Sequence, residues 1–156
     1  MRVVVLSPGR FKRGPEKELF DRYRERCPWK IELVELALKR EVPAGELRAA
    51  ESRLIEARLP AGRPVVLLDE AGELATSDQL AARLGRWRDD GAGGAAFVIG
   101  GADGVDDDLR RRADWRLALG RLTWPHLLVR AMLAEQLYRA AAILAGHPYH
   151  RGAGGG

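Results

Sequence analysis

The sequence predicts an α/β domain: a mostly parallel sheet flanked by helices. Three observations carry that reading. Five short apolar runs alternate with stretches of helical periodicity, giving β-α-β-α-β-α-β-α-β-α. The third run, "PVVLL", is apolar throughout, as a strand covered on both faces must be. The chain has 156 residues, 46% of them hydrophobic, which suffices for one sizeable core and suggests one domain.

Each element has its own justification. Residues 3–6, "VVVL", form a buried-strand run closed by Ser7-Pro8-Gly9. Pro15 opens a helix to Cys27, with Leu19, Phe20, Tyr23 and Cys27 on one face. Residues 31–38 read as the second strand. Residues 44–59 are helical, with an apolar stripe of Leu47, Ala50, Leu54 and Ala57, and the Arg and Glu residues between them form a solvated face. The third strand, 64–68, is followed by "TSDQLAARLGRW". Thr76 and Gln79 have capping-box spacing, and Leu80, Leu84 and Trp87 make the buried stripe. Residues 95–101 form the fourth strand. In "VDDDLRRR" the aspartates lead and the arginines follow, the order a helix dipole favours. Residues 115–120 form the fifth strand. The longest helix runs from Pro125 to Ala145, with a broad apolar face of Leu128, Met132, Leu133, Leu137, Ala140, Ala141 and Leu144. Residues 1–151 are read as the single domain and 152–156 as a flexible Gly-rich tail.

Bulk properties narrow the setting. The net charge of +4 and a pI near 9.6 are compatible with a polyanionic partner without requiring one. Cys27 is alone, so no intrachain disulfide forms, and a cytoplasmic location is expected. The N-terminal apolar run is too short for a signal peptide, and no stretch reaches the roughly 18 apolar residues a membrane span needs.

Parallel α/β sheets bind ligands at the carboxyl ends of their strands. Three ends stand out: Leu68-Asp69-Glu70, Ile99 through Gly104, and Gly120 through Pro125. Glycines there let a ligand approach the backbone. The familiar nucleotide signatures fail. Ile99 occupies the first glycine place of a dinucleotide fingerprint, and neither a P-loop nor a G-x-S-x-G elbow is present. Asp69 and Asp103 read as turn residues, and His126 as a capping or surface histidine. The terminus "GHPYHR" holds two of the three histidines, His147 and His150. Two ligands are too few for a metal, and no metal is expected.

Three segments together resemble one family. "FVIGGADG", "LTWPHLLVRAMLAEQLYRA" and "HPYHR" are similar to the RlmH family of SPOUT methyltransferases, and the resemblance runs from "VVVLSPGR" to Arg151. Where that family has Pro-Glu after the double glycine, this chain has Ala102-Asp103. The resemblance implies a SPOUT-type fold with a C-terminal trefoil knot, a homodimer, and S-adenosylmethionine as cofactor. It implies methylation of N3 of a pseudouridine in 23S rRNA within the assembled ribosome. Carried over by residue, the cofactor positions are Leu68, Gly101, Gly120, Arg121, Leu122, Thr123, Trp124 and Pro125. Gly101→Val is then expected to intrude on the ligand. The last helix is expected to lie at the dimer interface and carry Tyr149, His150 and Arg151 to the base pocket. There His150 is the candidate general base, Arg151 the oxyanion or phosphate partner, and Tyr149 the stacking ring. If that cluster serves substrate rather than fold, removing Tyr149 onward leaves stability almost unchanged. Two alternatives stand beside this: an RNA- or ribosome-binding module that has lost catalysis, and a small α/β regulator binding an unrelated nucleotide.

Overall fold

The computed structural model describes residues 1–151; the Gly-rich tail lies outside the described residues. All ten expected elements form. They are β1 (Arg2–Pro8), α1 (Pro15–Arg26), β2 (Lys30–Leu36), α2 (Ala44–Glu56), β3 (Val65–Leu74), α3 (Ser77–Asp89), β4 (Gly94–Ile99), α4 (Asp107–Arg112), β5 (Trp115–Ala118) and α5 (His126–Leu144). The strands make one sheet in the order β2-β1-β4-β3-β5, with every neighbouring pair parallel.

Alternation along each strand divides the core in two. Val3, Val5, Val66, Ala95, Phe97 and Ile99 face one layer of helices, meeting Phe20 of α1, Leu84 of α3 and Leu133 and Leu137 of α5. Val4, Leu6, Val65, Leu67, Ala96 and Val98 face the other, under Ile55 of α2 and Leu109 of α4. All six residues of β4 are buried, as the central strand requires. β4 starts at Gly94 because nothing larger fits: a Cβ there would lie 1.7 Å from the Arg2 carbonyl oxygen of β1. The capping box forms as expected, Gln79 N donating to Thr76 Oγ1 at 3.1 Å and Thr76 N to Gln79 Oε1 at 2.8 Å.

Two expectations need correction. β3 does not end at Leu68. Leu68 and Glu73 both pair with Leu117, so residues 69–72 bulge out and the strand resumes to Leu74. The bulge is built locally. Asp69 Oδ1 accepts from Ala71 N at 2.9 Å, and a Cβ on Gly72 would lie 2.7 Å from the Arg116 backbone. On α2 the buried residues are Ser52 and Ile55, whereas Ala57 is exposed. Leu54 of the expected stripe still packs against the core beside Ile55, and the Ser52 hydroxyl accepts from Asp106 N at 2.9 Å, joining α2 to the start of α4. α5 packs on α1 and α3 with Leu133, Ala134 and Leu137 fully buried, while Leu128 and Met132 of its expected apolar face stay partly exposed. Arg130 is buried with them.

Candidate active site

The carboxyl edge of the sheet holds a cavity of about 580 Å³. Its walls come from the three strand exits singled out in the sequence: Leu67 to Glu70, Ile99 to Val105, and Leu119 to Pro125, with His126 and Val129 of α5 closing one side. Of the eight expected positions, Leu68, Gly101, Gly120, Leu122, Thr123, Trp124 and Pro125 line it. Arg121 does not. Its guanidinium turns under the loop and donates to the carbonyls of Glu70 and Gly72, the latter at 2.8 Å. Thr123 Oγ1 adds a hydrogen bond to Glu70 Oε2 at 2.9 Å. The β5–α5 loop is thus fastened to the β3 bulge, which brings two of the three exits together. The bulge's role has no plain sequence signal beyond the Asp and Gly in "DEAGE".

One glycine here is set by backbone geometry and another by close packing. Gly120 has φ +127°, a region costly for residues with a Cβ. Gly100 packs against the Gly101–Gly104 turn, where a Cβ would meet Gly104 and Val105 at 3.1 Å. At Gly101 a Cβ would reach Glu51 Oε1 of α2 at 2.6 Å. That Glu51 oxygen is buried without a hydrogen-bond partner. Burial, and then the Asp103 carboxylate, push the Glu51 carboxyl pKa up. Glu51 therefore backs the turn from behind, a contact that sequence reading misses.

His126 lines the cavity, which the sequence does not indicate. Desolvation, and then the charge of Arg130, lower its pKa, so the imidazole stays neutral near pH 7. Asp69 is mainly structural, as expected for a turn residue. Its Oδ2 lies 3.4 Å from Arg110 Nε and 3.9 Å from Arg116 Nη1.

The terminal cluster is ordered but sits elsewhere. Tyr149 packs edge-on against Tyr138 with ring centroids 4.6 Å apart, and its hydroxyl donates to Glu135 Oε1 at 3.1 Å. Burial, and then hydrogen bonds to Tyr23 and Glu135, push that hydroxyl's pKa up, so it remains a donor. His150 sits between Arg139 Nη1, 3.3 Å from Nδ1, and Asp78 Oδ2, 3.2 Å from Nε2. An arginine only donates, so Nδ1 is the acceptor and Nε2 carries the proton. Arg151 is exposed, its backbone N–H closing a turn on the Pro148 carbonyl. These contacts lie some nine residues along α5 from His126 and Val129, roughly 14 Å at about 1.5 Å per residue. None of the three terminal residues lines the cavity of its own chain.

Between the two lies a second groove of about 570 Å³, walled by Leu74, Leu80, Leu119, Met132, Glu135 and their neighbours. Leu74 and Leu122, on its rim and that of the cavity, are 55% and 72% exposed, unusual for leucines beside a core. Among the described residues no cluster of metal-binding side chains is present, and no helix is long and apolar enough to cross a membrane.

Comparison with known proteins agrees with this architecture. Residues 1–150 match a family model described as a predicted SPOUT methyltransferase. A protein of Rhodospirillum centenum named ribosomal RNA large subunit methyltransferase H is 50% identical over 151 residues, covering 97% of this chain and 99% of its own length. One of the same name from Bradyrhizobium diazoefficiens is 51% identical over 160 residues, covering 97% and 99%. The solved SpoU methyltransferase AviRb of Streptomyces viridochromogenes, in complex with AdoMet, aligns at TM-score 0.47 and 13% identity over 94% of this chain and 58% of its own; a likeness that small assigns no residue a role. On the family match and the near full-length identity, the chain belongs to the SPOUT methyltransferases, in the ribosomal RNA large subunit methyltransferase H family.

Proposed function

We propose that this chain is a methyltransferase that uses S-adenosylmethionine to methylate N3 of a pseudouridine in 23S rRNA on the assembled ribosome, working in the cytoplasm as a homodimer of one domain, residues 1–151. One observation carries the reading: a cavity assembled from three loop backbones at the carboxyl edge of a parallel sheet, in a chain of this family. The residues present fit the cofactor. Leu67, Leu68, Ile99, Leu122 and Val129 offer apolar walls to a purine, while the peptide groups around Gly100, Gly101 and Gly120 offer donors and acceptors for its edge. Such a site needs no conspicuous side-chain motif. Glu70 and Asp103 at the lining suit a cofactor whose sulfonium and ammonium are positive. The trefoil knot belongs to this proposal. Its support is the β5–α5 loop crossing the β3 bulge, where Arg121 holds it.

The cofactor supplies an activated methyl group; the protein has to place the base nitrogen in line, roughly 3–3.5 Å away, and remove its proton. The N3–H of the base would give its proton to His150, leaving the N3 lone pair free to receive the methyl group that the bound cofactor would supply. We assign the base pocket to Tyr149, His150 and Arg151 of a second copy, because a chain's own terminus lies well along α5 from its own cavity. The exposed Leu74 and Leu122 beside the groove support such a pairing. His150 accepts the proton once Arg139 releases Nδ1, Arg151 meets the oxyanion or a phosphate, and Tyr149 fixes the position of both. The test is incubation of the protein with ribosomes and labelled S-adenosylmethionine, followed by mapping of the labelled nucleotide. Label at one pseudouridine N3 is expected. Binding of the cofactor without transfer to ribosomes would support the inactive RNA-binding module instead.

A further inference from the structure

The chain's charge excess is concentrated in one place. Loop 9–14 carries Arg10, Lys12 and Arg13; loop 37–43 carries Lys39 and Arg40 against the single acid Glu41. With these two loops set aside, acidic and basic residues balance, so they account for the whole net charge of +4. All five cations are exposed, and none is in an ion pair among the described residues. By contrast, Arg110, Arg116 and Arg112, near the sheet's other loops, all face aspartates.

The first loop is also held rigid at considerable cost. Phe11 is 4% exposed and packs edge-on against Phe20 at 5.5 Å. Its N–H donates to Glu35 Oε1 at 2.9 Å. Beneath it, Arg130 of α5 is wholly buried, donating to the carbonyls of Pro8 at 2.8 Å and Gly9 at 3.0 Å, with its guanidinium 5.0 Å from the Phe11 ring. Burying a cation is unfavourable by several kcal/mol before compensation. Here the buried cation secures a loop whose other side chains are three unpaired cations pointing outward.

Position completes the argument. The loops follow β1 and β2, and in the order β2-β1-β4-β3-β5 they end one and two strands from the turn after β4. At about 4.8 Å between strands that is roughly 5 and 10 Å from the Gly100–Gly104 side of the cavity, comparable to the Debye length of about 8 Å in physiological salt. We propose that loops 9–14 and 37–43 form the surface that grips the phosphate backbone of the RNA beside the target base. The partner is RNA rather than a protein or a membrane because the apolar residue between the cations is turned inward. The first loop thus offers charge without a hydrophobic anchor, which suits phosphates, and the second adds Lys39 and Arg40 beside a shallow groove lined by Leu38 and Val42. This rests on the methyltransferase reading above.

The experiment compares two variants of equal net charge in the full chain: Arg10→Gln/Lys12→Gln/Arg13→Gln in the first loop, and Arg53→Gln/Arg58→Gln/Arg86→Gln on α2, the segment after it and α3. Ribosome affinity is measured across salt concentrations, S-adenosylmethionine binding by calorimetry, and methyl transfer by label. The loop variant is expected to keep cofactor affinity and melting temperature. It should bind ribosomes about tenfold or more weakly, and the slope of log affinity against log salt should flatten by about 2, at about 0.7–0.9 for each phosphate no longer neutralised. The helix variant should match wild type. Equal effects of the two variants, or weaker binding with an unchanged salt slope, overturn the proposal. Failure of the wild-type protein to label ribosomes at all counts against the methyltransferase reading instead. A wild type that labels, with a loop variant that binds and labels equally well, defeats this inference alone.

Discussion

Removing the chain after Pro148 tests whether the terminus is pinned by its own packing. The expectation from sequence is no change in stability; the structure reverses it. Tyr149 makes an edge-on pair with Tyr138 at 4.6 Å, worth about 0.5–1.5 kcal/mol. Arg139 and Arg26 lie 4.9 and 5.7 Å from its ring, each contact worth about 0.5–1 kcal/mol where partly exposed. Its hydroxyl bonds the Glu135 carboxylate, nominally about 1.5–3 kcal/mol, but Glu135 keeps Arg139 as a partner in the shortened chain, so the lower part of that range is the fair figure. The sum is about 3 kcal/mol. A domain of this size loses about 2–4 °C per kcal/mol, so calorimetry should show Tm falling by roughly 6–12 °C. Tyr149→Phe separates the hydroxyl from the ring and should cost roughly half of that. Cofactor affinity should hold in every variant, since the cavity is remote from Tyr149, while methyl transfer should fall steeply in the truncated chain. A truncated protein that melts with the full chain refutes the packing argument; one that also methylates at full rate removes the terminus from the chemistry.

Other outcomes follow from contacts already described. Gly101→Val should drive its side chain into Glu51 and weaken S-adenosylmethionine binding by about tenfold, roughly 1.4 kcal/mol, and adding Glu51→Ala should recover most of it; unchanged affinity in the single variant takes this turn out of the site. His126 has a folded pKa below its ordinary 6.5, so in the window beneath 6.5 the unfolded chain binds the proton first. Stability is then full above about pH 6.5 and falls as pH drops through the window, and His126→Gln should flatten that fall in melts between about pH 7 and 5. Sedimentation of the full chain should give twice the 17.2 kDa chain mass, and Leu74→Asp should shift it to one chain with cofactor binding kept and methyl transfer lost. A wild-type monomer at micromolar concentration would sink the shared site.

The elements are legible because each is written in a local signal that packing then reinforces. "VVVL" and "AAFVIG" are apolar on successive residues because both faces of the sheet are covered; Thr76 and Gln79 spell a cap that needs nothing distant. The three strand exits can be read because glycine marks close approach. What stays hidden depends on neighbours far along the chain. The β3 bulge takes its second support from Arg121, and the Gly101 surface is filled by Glu51 from a helix two strands earlier in the chain. In sequence Arg130 is only a polar interruption of an apolar helix; its buried position is set by carbonyls at the end of β1. The terminus is marked as pinned by its composition, but its neighbourhood within one chain is not, since no spacing rule tells how far a helix of this length carries its end from its beginning.

The strand order has a consequence for how the chain must be made. β3 has no partner in the sheet until β4 exists, because its neighbours are β4 and β5; β1 likewise keeps one open edge until β4 arrives. During synthesis the ribosome must add the residues from 75 to 99 while both edges wait, roughly 1–5 s at about 5–20 residues per second. In that interval Val3 to Leu6 and Val65 to Leu68 are two exposed, uncharged β templates on one nascent chain, the arrangement most prone to pair with a neighbouring copy. Rapid overproduction, which crowds nascent chains together, should therefore drive this protein into aggregates through its amino-terminal half, and slower translation between residues 75 and 99 should make that worse rather than better.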